Sequence, residues 1–128
     1  MIVLDTHAWL WFANDDKRLS KRAKQAIRRA DALGVSIISV WETAILVAKG
    51  RLRFDDDVKV WIHDALTLER IELLQLTPDI AMTAASFGSG IHADPADRII
   101  IATALAHDVA VVTKDGPITD AGLVRCVW

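Results

Sequence analysis

The chain is 128 residues long, 52% hydrophobic and 25% charged, with a formal net charge of −2. That length suits one domain with a single core of ordinary size. The composition excludes a disordered chain, and so small a net charge leaves any nucleic-acid binding to local basic patches rather than a global field.

The lone Cys126 excludes an internal disulfide and suits a reducing cytosol. Ile2-Val3-Leu4 is too short for a signal-peptide core, and no apolar run approaches the roughly 20 residues of a membrane span. A single soluble, cytoplasmic domain over residues 1–128 is expected.

Met1 to Leu4 reads as a short buried strand ending at Asp5, and Thr6 to Ala13 as the helix that follows. Asn14-Asp15-Asp16 makes a loop. A second helix runs from Leu19 to Leu33 with Ser20 as its cap. Lys17, Arg18, Lys21, Arg22, Lys24, Arg28 and Arg29 form a basic run there, either a solvated face or an RNA-contacting patch. Gly34 ends that helix, and Val35 to Ile38 reads as a second strand. Ser39-Val40-Trp41-Glu42 then has the form of a capping box opening a helix to about Lys49.

Gly50 breaks that helix, and Asp55-Asp56-Asp57 complements the N-terminus of the next one, which passes through Trp61 to Leu68. Ile71 to Leu74 is a third strand. Thr77-Pro78 begins a helix through Ala85, and Gly88-Ser89-Gly90 links it onward. Asp94 then suits an N-cap, with Pro95 at the first helical position, where its missing N–H costs nothing. Ile99 to Ala106 is apolar all round, so this helix should be buried. Val109 to Val112 is a fourth strand, Gly116-Pro117 a turn, and Leu123 to Val127 a short fifth strand. Strands alternating with helices point to an α/β sandwich on a mostly parallel sheet of four to five strands.

In such sheets, sites form outside the carboxyl ends of the strands. Asp5 closes the first strand, Glu42 opens the helix after the second, and Asp115 follows the fourth. Asp97 lies in the first turn of the buried helix. Each has a structural reading as a cap or turn residue, and Asp94 and Asp97 have the further bland reading of capping plus a pair with Arg98. Convergence of four acids on one edge argues for a shared purpose. Close carboxylates repel one another, and a divalent cation relieves that. All-oxygen ligands suit Mg²⁺ or Mn²⁺, and such an ion supports in-line phosphodiester hydrolysis, with an acid or an ion-held hydroxide as base.

Val3-Leu4-Asp5-Thr6-His7-Ala8, Ser39-x-x-Glu42, Asp94-Pro95-Ala96-Asp97-Arg98 with Ile101-Ala102-Thr103-Ala104, and Thr113-Lys114-Asp115 resemble the successive motifs of PIN-domain ribonucleases. Among these the chain resembles the VapC toxins of type II toxin–antitoxin systems most. The resemblance covers the whole chain in order. It implies a three-layer α/β/α fold, Mg²⁺- or Mn²⁺-dependent RNA cleavage, frequent homodimers and neutralisation by a cognate antitoxin. By position, Asp5, Glu42, Asp97 and Asp115 match the family's acids, and Asp94 matches a feature of one subgroup.

Thr6, Ser39 and Thr113 are candidates for orienting the ligand carboxylates. His7 and His92 flank two of the acids, but no Cys or second His stands at zinc-like spacing, which leaves them substrate contact or loop packing. His63 and His107 read as ordinary helix residues. Most of the five tryptophans should be core, and exposed ones would mark a dimer or antitoxin surface. Two rivals share some of these features. A Mg²⁺-binding receiver switch would want paired acids after strand one and an acid ending strand three, whereas Asp5 stands alone and Leu73 to Leu76 supplies none. A non-catalytic RNA-binding module would use the Lys17 to Arg29 run and show no metal-dependent cleavage.

Overall fold

The computed structural model describes residues 1–91 and 94–128. Among these, strands and helices alternate as β1 (Ile2–Leu4), α1 (Thr6–Ala13), α2 (Lys21–Arg29), β2 (Leu33–Ser36), α3 (Ile37–Ala48), α4 (Val58–Leu66), β3 (Ile71–Leu74), α5 (Pro78–Ser86), α6 (Pro95–His107), β4 (Val111–Val112), α7 (Gly116–Ala121) and β5 (Cys126–Val127). The strands make one sheet in the order β3-β2-β1-β4-β5, and every pairing is parallel.

β1 sits at the centre, with Val3 opposite Gly34 on one side and Val111 on the other. Successive strand side chains point to opposite faces. Ile2 and Leu4 therefore join a core with Trp9, Ala23, Ile27 and Ala65 from α1, α2 and α4. Val3 points the other way, onto Ile100 and Ala104 of α6. Ile80 and Ala84 of α5 pack against Ala102 of α6 as an outer layer. The α/β/α arrangement follows from an apolar strand buried on both faces. β2 and β3 are added to one side of β1 and β4 and β5 to the other, so the strand order reverses beside β1. In open parallel sheets such a reversal is where ligands bind, at the carboxyl edge of the strands.

Each helix starts on a small polar cap whose side chain accepts a first-turn N–H: Asp5, Ser20, Ser36, Asp57, Thr77, Asp94 and Asp115. Three of the caps are acids at the carboxyl edge.

Six local readings are corrected. α2 ends at Arg29 rather than Leu33, because Leu33 is taken into β2 opposite Ile2; alanine propensity yields there to sheet pairing. Arg70 closes the helix instead, donating to the Ile27 and Ala30 carbonyls at 2.8 Å each. Gly34 is no helix stop but a mid-strand residue, where a Cβ would stand 2.7 Å from Leu74 Cδ1. The second strand is accordingly Leu33–Ser36 rather than Val35 to Ile38.

Ser39 is not a cap. α3 starts three residues earlier on Ser36, whose Oγ accepts from the Ile38 N–H at 3.2 Å. The Ser39-x-x-Glu42 spacing instead places two side chains on one helix face. Gly116-Pro117 opens α7 rather than making an isolated turn, since the Asp115 carboxylate accepts the Ile118 N–H. The buried helix is enclosed over Ile100 to Ala104 but surfaces at Leu105, which is 40% exposed. Among the described residues no helix is long and apolar enough to cross a membrane.

Candidate active site

Asp5 is the residue around which the carboxyl edge is built. It is only 5% exposed. One carboxylate oxygen caps α1 by accepting the Ala8 N–H at 2.7 Å, and the other accepts a hydrogen bond from the Thr113 hydroxyl. Thr113 is itself buried just past β4, beside β1 in the sheet. Its hydroxyl oxygen in turn accepts the Asp115 N–H at 2.9 Å. Donating one way and accepting the other, Thr113 ties the end of β1 to the start of α7.

A second polar link holds Glu42. Thr6 Oγ1 lies 2.6 Å from Glu42 Oε1 and 2.9 Å from Ser39 Oγ. The Thr6 hydroxyl has one proton, and the carboxylate is the stronger acceptor. Thr6 therefore donates to Glu42, and the Ser39 hydroxyl can donate to Thr6. Ser39 is fully buried, and its carbonyl accepts the Thr43 hydroxyl at 2.8 Å. Glu42 is thus aimed from α3 toward the residue that follows Asp5.

Asp94 and Asp97 come from the start of α6. Asp94 is exposed, and its Oδ1 caps the helix by accepting the Asp97 N–H at 2.8 Å. Asp97 is half-buried, and its carboxyl is pushed up to about 7, first by burial and then by the charges of Asp115, Asp94, Glu42 and Asp5. Glu42 is also raised, mainly by burial, against the opposing hydrogen bond from Thr6. Asp5 is raised too, its burial outweighing the hydrogen bonds from Thr113 and Ala8. Four stretches of chain therefore bring acids within electrostatic reach of one another. Arg98, next along α6, donates to the Gly88 and Ile91 carbonyls at 2.7 and 3.1 Å.

The donor set is chemically suited to a hard divalent cation. It is all oxygen, it has negative charge to spare, and the Asp97 carboxylate accepts no hydrogen bond among the described residues. Still, no three His, Cys, Asp or Glu side chains among the described residues stand close enough to form a finished ion cage. The acids form an electrostatic cluster whose side chains must draw together to share an ion.

His7 is exposed on α1, near enough that a positive charge on its ring favours the ionised forms of Asp5 and Glu42. His92 lies outside the described residues. His63 and His107 are exposed helix residues. Of the tryptophans, Trp9 is fully buried, Trp41 is 57% exposed, and Trp11, Trp61 and Trp128 lie between. Ser36 and Arg70 shape the edge and its support without having been singled out beforehand. Ser36 left a signal, a serine directly before an apolar helix, whereas nothing local marks Arg70.

The strand order separates this site from a receiver domain, whose doubly wound sheet runs 2-1-3-4-5, whereas here it runs 3-2-1-4-5. Residues 2–122 match the family model described as PIN domain. The chain is 39% identical over 114 residues to Ribonuclease VapC22 of Mycobacterium tuberculosis, covering 89% of this chain and 86% of that protein. It is also similar to the structure of FitAcB from Neisseria gonorrhoeae, with 26% identity, 98% and 96% of the two chains covered and a TM-score of 0.67. A toxin–antitoxin complex from Klebsiella pneumoniae shares the fold at 20% identity, with 90% and 87% coverage and a TM-score of 0.62.

Proposed function

The chain belongs to the PIN-domain family, and from that premise we propose that it is a metal-dependent endoribonuclease, the toxin of a toxin–antitoxin pair. The observation that carries the reading is Asp97, whose carboxyl is held at about 7 by burial and by the acids of three other chain stretches. A cluster so costly to ionise is explained by a cation that neutralises it. In this reading Asp5, Glu42, Asp97 and Asp115 hold Mg²⁺ or Mn²⁺.

When bound, the cation supplies charge neutralisation at the phosphate under attack and acidifies a water molecule. The protein's own part is orientation. Thr113 fixes the Asp5 carboxylate and the Asp115 backbone, while Thr6 and Ser39 fix Glu42. Asp97, whose carboxylate accepts no hydrogen bond among the described residues, is the acid best able to take a proton from the attacking water. Asp94 stays a helix cap. The substrate is RNA, the cognate antitoxin is a protein that covers this edge, and a homodimer of single PIN-like domains is the working assembly.

The reading is tested by incubating the protein with RNA in Mg²⁺ or Mn²⁺, in EDTA, and in EDTA followed by excess metal. Cleavage should appear, stop and return in that order. Asp5→Asn or Asp115→Asn should remove it while the protein stays folded. Undiminished cleavage in EDTA would overturn the reading.

A further inference from the structure

We propose that the seam where α1 meets α2 and the chain end after β5 forms the track on which single-stranded RNA enters the acid cluster, with exposed His7 and the uncovered edges of Trp11 and Trp128 as stacking surfaces for bases and Lys24 and Arg28 as phosphate contacts. This rests on the ribonuclease reading and adds to it where the strand lies and what holds it.

His7 is two residues past Asp5 and one turn before Trp11 on the same face of α1. The His7 and Trp11 rings are 5.7 Å apart and tilted by 52°. Trp11 and Trp128 are 5.6 Å apart at 58°. The three rings make a continuous series leading away from the acids, with His7 exposed and both indoles partly so. Trp11 forms one wall of a cleft of about 220 Å³ whose other lining includes Phe12, Lys24, Arg28 and Arg70, with Asp15 as its one acid.

The cations near the cleft are not equivalent. Arg70 is spent on the Ile27 and Ala30 carbonyls. Arg18 is clamped by the Asp16 carboxylate at 3.0 and 2.8 Å and held with its guanidinium carbon 5.1 Å from the centre of the Trp11 ring. Lys24 and Arg28, side by side one turn apart, have no ion pair among the described residues. A chain of net charge −2 therefore presents unpaired positive charge beside a row of rings, next to a pocket whose acids would otherwise repel RNA.

Rings and cations together select the ligand class. An unpaired strand offers base faces and phosphates at once, whereas duplex RNA keeps its bases stacked away from protein rings. An acidic protein segment would use the cations and leave the rings idle.

The test uses the full chain in EDTA, with a fluorescent single-stranded oligoribonucleotide of about 12 nucleotides read by anisotropy, followed by cleavage kinetics in Mn²⁺. His7→Ala should weaken binding at least about fivefold, the low end for loss of one stacked base. Lys24→Ser with Arg28→Ser, both on the helix surface, should raise KM, leave kcat at saturating RNA unchanged, and lower the slope of log Kd against log salt by about 1.4. A duplex of the same sequence should bind more weakly than the single strand.

Three results overturn the track. They are an unchanged KM and salt slope in the double variant, a duplex that binds as tightly as the single strand, or polyglutamate that displaces the RNA equally well, which would assign the cations to a protein partner. If the unsubstituted protein cuts no RNA at all, the ribonuclease reading falls first. If it cuts and the double variant matches it, only the track falls.

Discussion

Asp97→Asn should make the metal-free protein more stable, and only where Asp97 is forced to ionise. In the unfolded chain the carboxyl titrates at its ordinary 3.8, and in the fold at about 7. Below the first value both states are protonated and the substitution changes nothing. Between the two, the unfolded chain has released its proton and the fold retains it, so parent stability falls as pH rises through that window. Above about 7 the whole penalty is present. At about 1.36 kcal/mol per pH unit the window amounts to about 4 kcal/mol. Asp97 is partly open to water, and screening trims this to about 2 kcal/mol.

Asparagine has no proton to release, so in EDTA at pH 8 the variant should be more stable by about 2 kcal/mol, with the two proteins converging near pH 3.5. Urea denaturation at unchanged slope reads the difference directly. Excess Mg²⁺ or Mn²⁺ should reverse the order, because an ion that binds only the fold stabilises the parent by mass action. An Asn gain that is the same at pH 4 and pH 8, or no gain at pH 8, would refute the reasoning.

Asp94→Ala removes the α6 cap and should cost about 1 kcal/mol in thermal unfolding, while Asp94→Asn, which also caps, should melt and cleave like the parent; loss of cleavage in Asp94→Asn would make Asp94 a ligand. Thr113→Val leaves the buried Asp5 carboxylate without its hydroxyl donor and should cost about 1–3 kcal/mol as well as cleavage rate. Thr113→Ser should recover both. A cognate antitoxin that inhibits by setting an Arg or Lys among the acids should stop inhibiting RNA cleavage when its pocket-facing cations are replaced. Full inhibition by such a variant would place the contact elsewhere, as on a tryptophan-bearing surface.

Elements whose signals are local were legible from the residues. Asp94-Pro95 states its own helix start, and Thr6–Ala13 and Ile71–Leu74 have the observed bounds. The errors fall where a distant partner decides. Leu33 is helical by its neighbours and strand by its pairing with Ile2, and Gly34 is set by the Leu74 side chain rather than by helix termination. The site follows the same division. Carboxylates at strand ends can be picked out by position, but the Thr6 link between Glu42 and Ser39 spans 33 to 36 residues and the Thr113 link to Asp5 spans 108. The residues were nameable in advance, while their hydrogen-bond partners exist only in the fold.

The central claim is that four acids from four stretches of chain share one divalent cation, and titrating Mn²⁺ into the folded protein tests it most directly. Calorimetry on the parent, with Asp5→Asn, Glu42→Gln, Asp97→Asn, Asp115→Asn and Asp94→Asn run alongside, should show binding to the parent and to Asp94→Asn. Each of the other four should bind at least about tenfold more weakly, a loss of about 1.4 kcal/mol or more. If Mn²⁺ binds Asp97→Asn combined with Asp115→Asn as tightly as the parent, the acids do not form the cation site and the account is wrong.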